Sequence, residues 1–458
     1  YQNINVALGW KHFFNDQLEG RFTVGSDNYE FGIVGQENPL NSFAFGFDVH
    51  QLFAKADFEH RMNENHIMSF GVHGIQYNLN PGRNQPFGPE SIVIDKELDE
   101  ENAREISLYF GDEFTISENL SVSYGGRYML YQFLGPATVN QYVPGAPITD
   151  GNLIGEEPYD AGKTVQTYQG PEIRVSARYS LDNRSSVKAG FNTMRQNIHL
   201  LSNTSSIAPT DSWKLSDSYL RPQTGGQASV GYYRNLAKNK LEFSTEVYYR
   251  YMANLLDFRS GATIILNESI EQDVLNSDGK AYGLELLLKK STGSLKGSLA
   301  YTYSRSLMKT SDDPSIEKIN NGEYYSSNFD QPHHLVLTTN YELSKRVNTS
   351  LGVNYSTGRP ITLPISKFDY AGSERVYFSD RNAYRIPDYF RIDFSVNIEG
   401  SHKIKKLAHS SWSLGVYNLL GRSNPYSVYY TPVEGQLRGY QLSIFAQPIP
   451  FITYNFRF

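Results

Sequence analysis

The residues of this chain that could do chemistry are few, and their spacing does not suit catalysis. Cysteine is absent, which removes thiolate metal sites, cysteine nucleophiles and disulfide scaffolds. His333-His334 invites a metal reading, but adjacent residues of a strand point to opposite faces, so the two rings cannot chelate one ion without a third group. Asp312-Asp313 and the acidic stretch 97–101 hold enough carboxylates for calcium. Both also read as solvated acidic loops. Gly125-Gly126 and Gly225-Gly226 lack the strand-to-helix setting of a phosphate-binding loop and read as small residues where neighbouring strands or the contents of an enclosed interior approach closely. Asn197 and His199 read as loop-packing residues rather than ligands. The expectation is a protein that is not an enzyme, with no cofactor and no metal site.

The elements that carry these residues announce themselves by alternation. Ile4, Val6, Leu8 and Trp10 alternate with Asn5, Ala7, Gly9 and Lys11, and Leu241, Phe243, Val247, Tyr249 and Tyr251 alternate with Glu242, Ser244, Glu246, Tyr248 and Arg250. That period of two gives a strand one apolar and one polar face. With 39% hydrophobic residues, a mean hydropathy of -0.47 and no run approaching the ~20 apolar residues of a spanning helix, helical membrane spans are excluded. The 34 Tyr and 26 Phe instead suit strands and interfacial girdles. A net charge of -6 with no basic stripe argues against nucleic acid.

The connections between strands come in two kinds that take turns. Short polar turns at 15–16, 63–65, 117–119, 182–184, 237–239, 291–294 and 344–346 alternate with long segments near 34–42, 79–103, 136–165, 201–225, 259–279, 309–331 and 359–386. A longer basic link at 401–409 is the exception among the turns. In an outer-membrane barrel the turns face the periplasm and the long loops face outside. Tyr128, Tyr249, Tyr251, Tyr301, Tyr303 and Tyr355 fall on the apolar face just below a long loop, where a ring meets headgroups. The expected fold is therefore all-β, a transmembrane antiparallel β-barrel in the outer membrane of a Gram-negative cell, with residues 1–458 as one barrel domain. The pattern yields about seventeen strands, with a bulge expected near His50 and Gln51. An odd count implies that N-terminal wall is missing; plugged barrels of about 22 strands would leave roughly five strands upstream. An 18-stranded porin lacking one strand passes the same parity test. Tyr1 is not an initiator and no secretory leader is present, so a mature or truncated product is expected.

Several segments resemble TonB-dependent outer-membrane receptors, in the branch whose barrel follows a carboxypeptidase-regulatory-like domain and a plug. They are Val416-Tyr417-Asn418-Leu419-Leu420-Gly421 with Asn424-Pro425-Tyr426, Ala281-Tyr282-Gly283-Leu284-Glu285, Ala300-Tyr301-Thr302-Tyr303-Ser304, Asp330-Gln331-Pro332-His333-His334, Ser356-Thr357-Gly358-Arg359-Pro360, and Tyr454-Asn455-Phe456-Arg457-Phe458. Asn197-Ile198-His199-Leu200-Leu201-Ser202-Asn203-Thr204 and Pro209-Thr210-Asp211 are similar to the same branch. The resemblance implies active uptake of a metal chelate, cobalamin, glycan or peptide, driven through TonB by an N-terminal region and plug absent from this sequence. It also implies an assembly signal at Tyr454, Phe456 and Phe458 read by the barrel assembly machinery, outer-membrane lipid around the wall, and room for a surface lipoprotein or further complex subunits. A passive porin-like pore, or a barrel serving an outer-membrane complex without transport, stays open beside it.

Parity then selects lumen residues. Tyr131, Tyr168, Gln196, Arg250 and Asn354 fall on the polar face near the outer ends of their strands, where a ligand entering from the loops would first meet aromatic and hydrogen-bonding groups. The same positions equally suit contact with a plug or with lumen water.

Overall fold

Seventeen strands form one antiparallel meander, each paired to the next in the chain, in a computed structural model that describes residues 1–202, 212–312, 316–370, 373–400, 409–433, 436–444 and 446–457. Phe458, Asn203, Thr204, Pro209, Thr210, Asp211, Asp313 and the link 401–408 lie outside the described residues. The wall strands are β1 (Gln2–Phe13), β2 (Leu18–Gly35), β3 (Phe43–Arg61), β4 (His66–Pro86), β5 (Glu101–Ser117), β6 (Leu120–Leu134), β7 (Thr164–Asp182), β8 (Ser185–Gln196) and β9 (Gln223–Leu236). They continue as β10 (Leu241–Phe258), β11 (Val274–Lys290), β12 (Leu295–Thr310), β13 (His333–Ser344), β14 (Val347–Ser356), β15 (Tyr389–Glu399), β16 (His409–Tyr417) and β17 (Ile449–Arg457). Two further short strands, Lys96–Glu97 and Tyr325–Ser326, edge the same sheet.

The tight turns close by local chemistry. Asn15 Oδ1 accepts the N–H groups of Gln17 and Leu18, Asn63 Oδ1 those of Asn65 and His66, Ser117 Oγ those of Asn119 and Leu120, and Ser344 Oγ those of Arg346 and Val347. A side-chain acceptor two residues upstream substitutes for a backbone turn bond, which is why Asn, Asp and Ser sit there. At 237–239 three consecutive residues take positive φ, 49°, 56° and 64°, to make the same reversal.

Register then fixes the faces. Phe243, Leu288, Leu299, Leu337, Val353 and Ile392 lie directly opposite one another across β10 to β15, and Glu242, Lys289, Ser298, Thr338, Gly352 and Asp393 form the row beside them on the other face. Exposed apolar side chains follow the first parity from Leu8 and Val24 round to Trp412, Leu414 and Tyr454. This continuous apolar band on a sheet whose other face is charged is the lipid-facing surface expected of a membrane wall. The bulge expected near His50 and Gln51 lies elsewhere: pairing of β2 with β3 is unbroken, and the slip in β3–β4 falls between Gly46 and Asp48. There Gly82 on β4 has φ 156°, a backbone state open to glycine. Alternation slips where the strand leaves the apolar band, so sequence placed the break a few residues late.

The long connections are not bare loops. Hairpins Ala137–Tyr142 with Leu153–Tyr159, Ile198–Leu201 with Ser212–Leu215, Pro364–Tyr370 with Ser373–Phe378, and Pro425–Val433 with Gln436–Ser443 rise from or fold over the outer end of the wall. The main cluster of buried apolar residues sits at that end: Leu215 from the second hairpin packs with Leu79, Ala103, Met129, Tyr131 and Phe133 of β4 to β6.

Candidate lumen site

A chain of charges begins on the inner face of β3 to β7. Arg127 stands opposite Tyr109 and Glu172, and its Nη2 donates to Glu105 Oε1 and Ser107 Oγ, both at 2.8 Å, with Glu172 Oε2 3.7 Å from Nε. Asn197, at the foot of the 197–222 loop, donates from Nδ2 to the other Glu105 oxygen at 2.9 Å, and Glu172 Oε1 accepts the Arg195 N–H at 2.7 Å. Further round, Lys55 pairs with Asp57 at 2.9 Å, and Tyr109 donates its hydroxyl to the same carboxylate. Glu105 and Glu172 are both buried, so the guanidinium between them satisfies charges that would otherwise be costly to bury.

Above this layer the described residues 212–217 are fastened to the wall. Lys214 Nζ lies 2.5 Å from Glu101 Oε1 and 2.9 Å from Asp217 Oδ2, and Glu101 Oε2 also accepts the Leu215 N–H at 2.8 Å. Burial pulls the Lys214 ammonium down, but Asp217 and Glu101 outweigh it and hold the group above the usual ammonium range. His199 Nε2 lies 2.8 Å from Ser216 Oγ, and burial lowers its pKa to about 4, so the ring is neutral. Both Asn197 and His199 thus pack within the loop and its seat.

The five lumen residues read from parity all lie on the inner face, and two of them meet at this loop. Tyr131 is fully buried and donates its hydroxyl to the Ser216 carbonyl at 2.8 Å, while Tyr168 donates to the Asp217 carbonyl at 2.7 Å. Gln196 donates to the Ile198 carbonyl at 2.7 Å, and Arg250 holds Gln227 Oε1 through Nε and Nη2 at 2.9 and 2.6 Å. Asn354 stands apart on β14, opposite Val336 and Arg391. Parity missed the charged layer because Arg127, Glu105 and Glu172 are ordinary polar-face residues in sequence; only their mutual distance marks them. Nearer the periplasmic turns, exposed Arg174, Arg178 and Lys188 share the inner face, with Arg178 directly opposite Lys188.

His333 and His334 fall on opposite faces, His333 Nδ1 lying 2.9 Å from the Tyr301 hydroxyl. Among the described residues no three His, Asp or Glu side chains gather closely enough to hold a metal. Asp330, from the Asp-Gln-Pro-His-His stretch, is fully buried and accepts from the Ser306 N–H at 2.7 Å, Ser326 Oγ at 3.0 Å and Arg305 Nε at 3.2 Å, and also pairs with Arg385.

Residues 1–419 match the family of TonB dependent receptor-like β-barrels. The chain belongs to that family. It is an outer-membrane β-barrel, and the family consists of receptors and transporters rather than enzymes. No curated protein matches the chain. Among solved structures the receptor barrel is similar to the ferric-catecholate import receptor Fiu of E. coli K12, with a TM-score of 0.57, 12% identity and coverage of 99% of this chain and 63% of that one. It is similar also to the ferric citrate transporter FecA in its unliganded form, with 0.63, 10%, 99% and 61%, and to the ferric yersiniabactin uptake receptor FyuA of Yersinia pestis, with 0.63, 13%, 100% and 61%. At these identities the likeness is one of fold, and the chain spans about three fifths of the length of the structures it matches.

Proposed function

We propose that the receptor barrel takes up a scarce nutrient actively across the outer membrane, with TonB supplying the energy from the inner membrane. The observation that carries this reading is the family match over residues 1–419; a lumen face that carries buried ion pairs, with Lys214 of the 212–215 strand seated on Glu101, supports it. Such a lumen favours a ligand that is gripped and released over one that diffuses through freely. Metal chelates, cobalamin, glycans and peptides are the candidate cargoes; solved relatives named for ferric catecholate, ferric citrate and ferric yersiniabactin favour a chelated metal. Residues 1–458 act as one barrel domain in this reading. Gln196, Arg250 and Asn354 offer polar groups to the ligand, while Tyr131 and Tyr168 act through the loop they hold. Tyr454, Phe456 and Phe458 serve as the assembly signal for the barrel assembly machinery.

The test is uptake of radiolabelled ferric chelates, cobalamin, oligosaccharide and peptide by cells expressing the native-length protein, with and without TonB. Saturable uptake of one cargo that stops when TonB is deleted is the expected result. Uptake unaffected by the deletion would replace this reading with a passive pore.

A further inference from the structure

Charges at the turn end of the wall are sorted by arc. Across the turns of β1 to β6, residues 11–21, 59–66 and 113–120 hold three lysines and arginines against six carboxylates. Across those of β7 to β14, residues 182–184, 234–242, 289–296 and 342–346 hold nine against three. The pairing of each strand with the next sets the four basic turns side by side on one stretch of the rim, about 10 Å apart. Carboxylates in that stretch are already engaged: Glu242 lies 3.2 Å from Lys289, Glu342 lies 2.8 Å from Lys296, and Asp182 accepts the Arg184 N–H at 2.6 Å. Lys238, Lys240, Lys345 and Arg346 at the turn tips are exposed and have no ion pair among the described residues.

These tips sit at the edge of the apolar band. Leu241 and Leu295 directly adjoin their turns, Tyr341 stands opposite Leu295, and all three share the outward parity of Phe243, Leu299 and Leu337. Leu295 and Tyr341 are about half exposed. With apolar side chains reaching the last positions of the strands, hydrocarbon ends at the turns, so the lysines and arginines project into the headgroup layer rather than beyond it. A row of ammonium and guanidinium groups there complements headgroups of net negative charge. The acidic arc offers the opposite surface: Asp16, Glu64 and Glu118 are exposed at the tips of its three turns, without an ion pair among the described residues. It repels the same headgroups.

We infer that the turn end of β7 to β14 binds anionic phospholipid headgroups of the leaflet it meets, while the β1 to β6 arc excludes them, so that lipid around the barrel is sorted by charge. This surface is independent of cargo uptake. The test is the motionally restricted fraction of spin-labelled phosphatidylglycerol and of spin-labelled phosphatidylcholine, with the native-length protein reconstituted in dioleoyl phosphatidylcholine vesicles. Phosphatidylglycerol should be favoured about fivefold, the ratio carried by roughly one cation near the surface. That preference should fade as salt rises from about 0.1 M to about 1 M, because the charges are exposed and screened. Lys238→Gln, Lys240→Gln, Lys345→Gln and Arg346→Gln together should bring the ratio below about twofold, whereas Asp16→Asn, Glu64→Gln and Glu118→Gln together should raise it. Arg104→Gln with Lys280→Gln, outward at the loop end, should leave it as in the parent, and so should millimolar inorganic phosphate at equal ionic strength. Unchanged heat-shifted gel mobility shows that the barrel of each variant is intact. No preference in the parent, a preference that survives the fourfold change at the turn tips, one that falls in the triple variant or is lost with Arg104 and Lys280, or one abolished by phosphate at constant ionic strength would each overturn the assignment.

Discussion

Lys214 is the side chain on which the folded loop depends. Its charge lies between Glu101 and Asp217 with little exposure on any of the three, so truncation leaves two buried carboxylates without their shared cation. Lys214→Ala should loosen the loop by ~3–5 kcal/mol, seen as faster hydrogen exchange across residues 212–215 while exchange in β10 to β13 stays unchanged. His199 adds a dependence on pH. Its pKa is about 4 when docked, because burial disfavours the charged ring, against ~6.5 when free. The undocked loop therefore binds more protons between those values, and docking weakens as pH falls from about 6.5 toward 4 and is constant above 6.5, with at most ~3 kcal/mol at stake. Exchange at Leu200 and Leu201, corrected for intrinsic rates, should speed up between pH 7 and 4.5 and lose that dependence in His199→Gln. Asp330 behaves in the opposite sense to an unpaired buried acid. Burial would raise its pKa, but the Ser306 N–H and the Arg385 and Arg305 guanidiniums hold it below the usual carboxylate value. Its tie between the loops before β13 and β15 is therefore complete above about pH 4 and lost only as pH falls below that.

Strands in this wall succeed or fail by which face meets lipid. Leu299 and Val353 both lie opposite Leu337 in the apolar band, and Ser298 and Asn354 occupy the neighbouring inward positions. Arg at Leu299 or Val353 should hinder membrane insertion by ~2–4 kcal/mol if the residue lies near the midplane, and Arg at Ser298 or Asn354 should cost much less. Equal sensitivity of both faces in a refolding titration into lipid vesicles would reverse the assigned orientation. On β17, Tyr454 packs on Trp412 with ring centroids 4.6 Å apart and lies 6.1 Å from Phe456. Replacing Tyr454 and Phe456 together by Ser should leave the protein synthesised but poorly assembled, measured as the fraction resistant to extraction from outer membranes. Retention of full assembly would remove the signal role from these rings.

At the scale of the molecule, β1 pairs only with β2 and β17 only with β16 among the described residues. An open edge in hydrocarbon leaves N–H and C=O groups unsatisfied at several kcal/mol each, so in the membrane both edges must find ladder partners. Slow hydrogen exchange along 2–13 and 449–457 in the native-length protein is the expected outcome, and rapid exchange on both edges would mean they stay unpaired. The seventeen strands, their order, their facing and the membrane class were all legible in the sequence, because a period of two and an alternation of short and long connections are local signals that survive without contacts. The inward placement of Tyr131, Tyr168, Gln196, Arg250 and Asn354 was legible for the same reason. What those residues touch was not. Tyr131 reaches a carbonyl 85 positions away and Lys214 a carboxylate 113 positions away, and no window of sequence holds both partners. The bulge at Gly46, the seating of Lys214 on Glu101 and the paired charges around Arg127 were decided only when register brought distant strands together. Alternation determines which face a side chain takes, and the fold alone determines what it meets there.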